Sequence, residues 1–207
     1  MNSVSERARW DTRFAGDDYH FGTEPNRFLA SQAQLLKPGT TALCVADGEG
    51  RNSVWLAEQG LRVTAFDFSP VAVEKARRLA ATKGVVVEHQ LADINAWEWA
   101  AGRFDLVAAI FIQFASPEER EHIFAGIVHS LAPGGLLLMQ GYTPKQLEYG
   151  TGGPKNIDYL YTESLLRKAF GSLEVLLLRE HEEEVDEGSA HNGMSALIDF
   201  VARKPLT

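Results

Sequence analysis

Between residues 41 and 142 short apolar runs alternate with helical stretches, and nothing else in the chain constrains its fold so tightly. Strands separated by helices cannot close as hairpins. They pair in parallel, with helices packed on both faces of the sheet. The pattern opens in Thr41-Ala-Leu-Cys-Val-Ala-Asp-Gly-Glu-Gly-Arg51, where a strand over 42–46 enters a glycine turn and then a helix over 51–59 that stops at Gly60. A second strand, 62–67, ends in Asp67, and Ser69-Pro70 supplies an N-cap and first helical residue for a helix over 71–82 that ends at Lys83-Gly84. Strands over 85–90 and 104–111 follow, the latter a continuous apolar run of the kind covered on both faces. Ser116-Pro-Glu-Glu119 is a capping box starting a helix that ends near residue 131, and Pro133-Gly-Gly135 turns the chain into a strand over 136–141.

The remainder changes character. A helix over 162–170 leads to a strand over 173–179, an acidic run over 180–187 and a last strand over 196–202. No helical segment separates these two strands, so they are expected to form an antiparallel hairpin. The expected fold is α/β: a Rossmann-like, doubly wound, mostly parallel seven-stranded sheet with a C-terminal antiparallel hairpin. A chain of 207 residues, 45% of them hydrophobic, suits one domain over 1–207, with an N-terminal helical lid over 1–35 and the core over 40–205. Trp10 and Phe14, one helical turn apart, favour packing of that lid. A net charge of −8 disfavours a nucleic-acid partner, and Arg77, Arg78 and Lys83 read as the wet face of a helix. No apolar run is long enough for a bilayer, the N-terminus lacks a secretion signal's layout, and Cys44, the single cysteine, permits no internal disulfide; together these suggest a cytoplasmic chain. The acidic run reads as a charged sheet edge rather than a metal site, because its spacing matches no known ligand set.

In an open parallel sheet, ligands bind beyond the carboxyl ends of the strands. Gly48 and Gly50 lack a Cβ, so the backbone there can turn sharply and approach a ligand, and the following helix presents free N–H groups. Asp67 is placed to accept from both ribose hydroxyls, with Phe68 beside it to cover an adenine face. Asp93 is placed to accept from the adenine amino group, with Ile94 against the ring. These features describe a nucleoside pocket. A nicotinamide cofactor fits less well, since the third glycine of its G-x-G-x-x-G fingerprint would fall at Ser53.

Ala46-Asp-Gly-Glu-Gly50, the strand-ending Asp67, Leu91-Ala-Asp93, Phe104-Asp-Leu-Val107 and Leu131-Ala-Pro-Gly-Gly135 together resemble the class I S-adenosylmethionine-dependent methyltransferases over about residues 40–142. Within that class, Gly-Glu-Gly-Arg-Asn52, Phe21-Gly-Thr-Glu-Pro-Asn26 and Glu187-Gly-Ser-Ala-His-Asn-Gly193 look like the small bacterial tellurite-resistance and thiopurine methyltransferase-like group. The resemblance implies S-adenosylmethionine as cofactor, demethylated to S-adenosylhomocysteine. It assigns the cofactor to Ala46, Asp47, Gly48, Gly50, Asn52, Asp67, Phe68, Asp93, Ile94 and Ile110. Two departures stand out. Cys44 occupies a slot that usually holds an acid supporting the methionine amino group, and Ala46 occupies one that usually holds glycine. The Asp47 side chain or backbone carbonyls are then the groups left for the methionine end. Cys44 reads as a small core residue rather than a nucleophile.

The methyl acceptor is expected above the strand ends, beneath the N-terminal segment and the turn of the last hairpin. Tyr19, Phe21, Gln113, Tyr142 and Glu187 are the expected walls and His191 the expected catalytic residue. Methyl transfer to a thiolate needs no base, whereas a hydroxyl or protonated amine needs one. With no basic groove and no Asn/Asp-Pro-Pro-aromatic motif after strand four, where Phe111-Ile-Gln-Phe114 stands, the acceptor is expected to be a small molecule, a thiol or chalcogen oxyanion favoured. The protein is expected to act as a monomer or homodimer. A non-catalytic module holding the cofactor or its product, and a nicotinamide-dependent oxidoreductase, are the competing readings.

Overall fold

A computed structural model describes residues 3–188 and 191–206. Seven strands form one sheet in the order β3-β2-β1-β4-β5-β7-β6. The chain divides into two compact units, one running to Ala96 and taking in Glu187, the other from Trp97 to Asp186 and resuming at His191.

In the first unit, β1 (Thr41–Val45), β2 (Arg62–Asp67) and β3 (Val87–Leu91) run in parallel, with Val45 beside Phe66 and Asp67 beside Leu91. Helix α1 (Ser3–Phe14) precedes a stretch, 15–26, without helix or strand, and α2 (Arg27–Ser31) follows it. Trp10 and Phe14 stack with centroids 5.5 Å apart, as their spacing implied. Helices α3 (Arg51–Glu58) and α4 (Pro70–Lys83) cover the sheet. The Ser69 side chain caps α4 by accepting from the Ala72 amide, Pro70 stands in the first turn, and Gly84 (φ 69°) ends the helix. Arg77, Arg78 and Lys83 are exposed. The buried stripe of α4 is Ala72, Lys75, Ala76 and Leu79, so a lysine occupies a core position. Strand β3 begins two residues later than the sequence pattern placed it.

The second unit is built on β4 (Phe104–Ile110) and β5 (Leu131–Tyr142), paired in parallel from Leu106–Leu136 to Ile110–Gln140. Phe104 pairs with Leu131, so Ala132–Gly135 bulge out of register; the turn read at Pro133-Gly-Gly135 is a bulge within a longer strand, with Gly134 at φ 78°. Helix α5 (Pro117–Ser130) carries the capping box that Ser116 and Glu119 announced. The short α6 (Gln146–Tyr149) and α7 (Glu163–Ala169) precede the last two strands, β6 (Glu174–Glu187) and β7 (His191–Arg203). Strand β7 lies antiparallel to β5 from Leu136–Arg203 to Tyr142–Leu197. Strand β6 continues through the acidic run, which sequence reading had placed beyond it. It is the terminal strand of the sheet, and alternating exposure there lets acids occupy its outward positions. The core around β5 and β7 is apolar, and Phe170 stacks on Phe200 at 5.3 Å. Among the described residues, no helix is long and apolar enough to cross a membrane.

Candidate cofactor site

The exits of β1 and β2 carry the chemistry of the first unit. The turn after β1 alternates left-handed residues: Ala46 at φ 48°, Gly48 at 63° and Gly50 at 93°. At Gly50 the reason is packing, because a Cβ there would lie 2.7 Å from the Cβ of Ala76, and Gly50 also starts α3. At Gly48 the ring edge of Phe14 lies 3.8 Å from where a side chain would begin. Ala46 adopts the left-handed backbone with a Cβ, at a cost of roughly 1–2 kcal/mol.

Two carboxyls meet at this turn. Asp67 is 6% exposed and accepts from the amides of Gly48 (3.0 Å) and Ser69 (2.9 Å). Burial pushes its pKa up to about 6, the amides of Ser69, Gly48 and Phe68 pull it back, and the nearby Asp11 charge adds to the rise. A carboxylate has about four acceptor positions, so capacity remains for a vicinal diol. The Asp47 carboxyl is also pushed up to about 6 by burial, against the hydrogen bonds that it accepts from the Ser53 amide (3.2 Å) and hydroxyl (2.5 Å). The Ser53 hydroxyl lies 3.3 Å from His89 Nε2, and burial drives that imidazole down to about 4, so it is neutral at pH 7. Ser53 thus fills the third-glycine slot of the nicotinamide fingerprint and ties Asp47 to its own helix. A crevice behind the turn, between Asp47, Phe66, Val73 and His89, is too narrow for a water molecule. Phe68 is half-buried and Ile94 buried, while Asp93 Oδ1 accepts from the Asn95 amide at 2.9 Å. A sharp glycine turn and an acid with spare acceptor capacity fit a nucleoside. Cys44 is buried, which raises its thiol pKa well above the ordinary value.

Other residues read from the sequence are engaged elsewhere. Asn52 Oδ1 accepts from the Asn26 amide at 3.0 Å, so its side-chain oxygen is turned to the N-terminal segment. Tyr19 donates its hydroxyl to the Lys75 carbonyl at 3.1 Å, and Phe21 packs on His20 with centroids 4.8 Å apart. Glu187, expected as a substrate wall, pairs with Arg51 at 2.8 Å, and both side chains are under a tenth exposed. Its pKa is lowered: burial opposes the shift, but Arg51, the Arg27 amide and Asn26 outweigh it.

In the second unit Gln113 is likewise committed. Its Nε2 donates to the carbonyls of Tyr142 (2.9 Å) and Tyr159 (3.1 Å), and its Oε1 accepts from the Tyr142 amide (2.5 Å). Tyr142 is 1% exposed, with its ring 4.8 Å from that of Phe111. Ile110 is half-buried at the end of β4. The side chain of His191 lies outside the described residues. Sequence reading missed Lys75, Glu49 and Arg51, although a lysine on the apolar stripe 72-75-76-79 was a legible sign.

The sheet order is that of a Rossmann-like, mostly parallel α/β fold closed by an antiparallel C-terminal pair. Residues 42–135 match the family model described as a methyltransferase domain. An uncharacterized protein of Mycobacterium tuberculosis is 29% identical over 146 residues, 68% of this chain and 51% of that protein, so the chain spans about half the length of that relative. A solved structure from work on the conversion of a disulfide bond into a thioacetal group during echinomycin biosynthesis superposes with a TM-score of 0.79 at 16% identity, over 100% of this chain and 93% of that one. The N-methyltransferase NodS of Bradyrhizobium japonicum, in complex with S-adenosyl-L-homocysteine, superposes with a TM-score of 0.70 at 16% identity, over 96% and 98% of the two chains. The domain match and the fold support S-adenosylmethionine as the cofactor.

Proposed function

We propose that the chain, taken over 1–207 as one functional domain, is a cytoplasmic S-adenosylmethionine-dependent methyltransferase acting on a small molecule, with a sulfur or chalcogen nucleophile the favoured acceptor. The observation that carries the reading is the buried Asp67 carboxyl at the exit of β2, linked to the Gly48 amide of the glycine turn at 3.0 Å. When bound, the cofactor supplies a methyl group already activated for in-line displacement. The protein's part is alignment and dryness, which can contribute roughly 7–11 kcal/mol. Asp67 would accept from the ribose hydroxyls, the Gly48–Gly50 backbone and the end of α3 would hold the methionine side, and Phe68, Asp93 and Ile94 would hold the base. Since the Asp47 side chain turns to Ser53 and Cys44 cannot serve as an acid, backbone carbonyls are the acceptors left for the methionine amino group. The structural neighbour from echinomycin biosynthesis, where a disulfide bond is converted into a thioacetal group, favours a sulfur acceptor, and the Gly-Glu-Gly-Arg-Asn52 motif favours the tellurite-resistance-like group. His191 is the residue proposed to assist a protonated acceptor.

A second reading, a non-catalytic holder of the cofactor or its product, draws on the strained Ala46 and on the missing acid at Cys44. Calorimetric titration with S-adenosylhomocysteine and with NAD(H), followed by turnover against a panel of thiols, tests all of these. Saturable nicotinamide binding without a response to S-adenosylhomocysteine would end the methyltransferase reading. Tight binding with no methylated thiol or other small acceptor would favour the holder.

A further inference from the structure

Behind the glycine turn, side chains from the turn, α3 and β3 are joined in series. Asp47 stands between the left-handed residues Ala46 and Gly48 and folds its carboxyl forward onto the start of α3. There Oδ1 accepts from the Ser53 amide (3.2 Å) and Oδ2 from the Ser53 hydroxyl (2.5 Å), a task that the N-cap Gly50 has no side chain to perform. Ser53 is fully buried, and its oxygen lies 3.3 Å from Nε2 of His89 on β3. His89 is itself held, beside Ala65 of β2 and with its carbonyl accepting from Arg77 at 3.1 Å. A hydroxyl carries one proton, and the Asp47 carboxylate is a nearer acceptor than the Gly50 carbonyl at 3.2 Å. Towards His89 the Ser53 oxygen is then an acceptor, so the neutral imidazole carries its proton on Nε2. The charged groups facing this chain are Asp67 on β2, Arg51 on α3 and Arg77 on α4. The crevice between Asp47, Phe66, Val73 and His89 is too narrow for water, so water cannot replace a lost bond there.

The other end of the chain reaches the ribose acid. The Asp47 amide donates to the Phe66 carbonyl (3.0 Å), and the Asp47 carbonyl accepts from the Gly50 amide (3.4 Å). With main chain and side chain both held, the peptide joining Asp47 to Gly48 has one orientation. Its N–H, that of Gly48, points at Asp67 Oδ2, 3.0 Å away. A loose Asp47 would let this peptide turn, and Asp67 would lose one of the amides that hold it. A binding group keeps its aim only when its supports are themselves fixed. We propose that Ser53 and His89 are positioning residues for the cofactor: through Asp47 they fix the Gly48 amide, and that amide fixes the Asp67 carboxyl for the ribose hydroxyls. The proposal rests on the cofactor reading above.

Amide NMR of the unaltered protein and of Ser53→Ala, with calorimetric titration of S-adenosylhomocysteine, tests the link. In Ser53→Ala the Gly48 amide signal should move upfield and exchange about tenfold faster, while the amides of β1 and β2 keep their protection. The ligand should bind this variant about tenfold more weakly, and His89→Phe about threefold more weakly. Lower urea stability with the Gly48 signal and the affinity both unaltered would reduce Ser53 to a helix cap and overturn the proposal. Asp47→Asn keeps an acceptor for the Ser53 amide and offers a donor to its oxygen, so it should bind within about threefold of the unaltered protein, whereas Asp47→Ala should lose about tenfold. Equal losses in the two would assign the effect to charge and overturn the positioning role. Nitrogen shifts of His89 at pH 7 should show the Nε2–H tautomer; the Nδ1–H tautomer would remove His89 from the chain. If the unaltered protein fails to bind the ligand, the cofactor reading falls and takes the positioning role with it. Binding that is equally tight in Ser53→Ala sinks the positioning role alone.

Discussion

Around the glycine turn, burial encloses acids held by backbone amides and a hydroxyl, and the backbone twists through Ala46 at φ 48°. Along β5 and β7, equal burial encloses Leu137, Leu138, Met139, Phe200 and Val201. The acid buried there, Asp199, is met by Arg179 (2.7 Å) and by the Gln140 side-chain Nε2 (2.7 Å). The contrast separates two uses of an interior. The second region is mainly apolar, whereas the first keeps buried carboxyls, which the proposed function uses for a ligand's hydroxyls. If so, substitutions in the two regions should dissociate stability from affinity.

The largest effect is expected in the second region. Phe200→Ala removes a ring stacked on Phe170 and should cost about 3–5 kcal/mol of folding free energy. Urea unfolding measures it, and the folded fraction should bind S-adenosylhomocysteine normally. A matching loss of affinity would break the comparison. Asp67→Ala should do the reverse, costing roughly 2–4 kcal/mol of cofactor affinity by calorimetry. Affinity unchanged within twofold would mean that the ribose lies elsewhere.

Acidity offers a finer probe. If Asp67 must be ionised to accept the diol, affinity should fall about tenfold per pH unit below its pKa of about 6 and level off above it. Stability should run the other way. Asp67 and Asp47 have folded pKa values of about 6, raised above 3.8, so each contributes stability that is present in acid and lost as pH rises through 6. His89, depressed from 6.5 to about 4, contributes in the opposite sense over the same window. The two carboxyls together take up more protons in the native state than the histidine takes up in the unfolded chain, which leaves these three groups with a net gain of roughly 0.8 kcal/mol on acidification from pH 6 to 5. Replacing Asp47 by Asn should flatten that slope in urea titrations at several pH values, while a slope that survives assigns it to other groups.

The architecture was legible because it rests on repeating local signals. Ser69-Pro70, Ser116 with Glu119, and the apolar run at 104–110 each specify an element without knowledge of the rest. The position of Asp67 at the end of β2 was legible for a similar reason, since strand ends are countable. The substrate walls were not. Gln113 and Glu187 look like free polar groups in a list of residues, and only the fold reveals that Gln113 is spent on the Tyr142 backbone and Glu187 on Arg51. Lys75 is the opposite case: its place among Ala72, Ala76 and Leu79 requires a partner, which only the fold supplies in Glu49. The continuation of β6 through its acids was hidden because an edge strand needs apolar residues on one face only.

The smallest expected effect sharpens the comparison most. Ala46 holds a left-handed conformation that costs an L-residue roughly 1–2 kcal/mol, and glycine returns part of that as the entropy of a freer unfolded chain, roughly 0.5–1 kcal/mol. Ala46→Gly should therefore stabilise the protein by about 0.5 kcal/mol, read as a rise in urea midpoint with an unchanged slope. Three outcomes carry different meanings. Greater stability with unchanged S-adenosylhomocysteine affinity makes the strain a neutral cost of substitution in a loop whose shape is set elsewhere. Greater stability with weaker binding makes it preorganisation, a backbone held ready for the ligand at the expense of the fold. Lower stability would show that the Ala46 methyl packs well enough to outweigh its own strain, and the turn would then resemble the apolar region with which it has been contrasted.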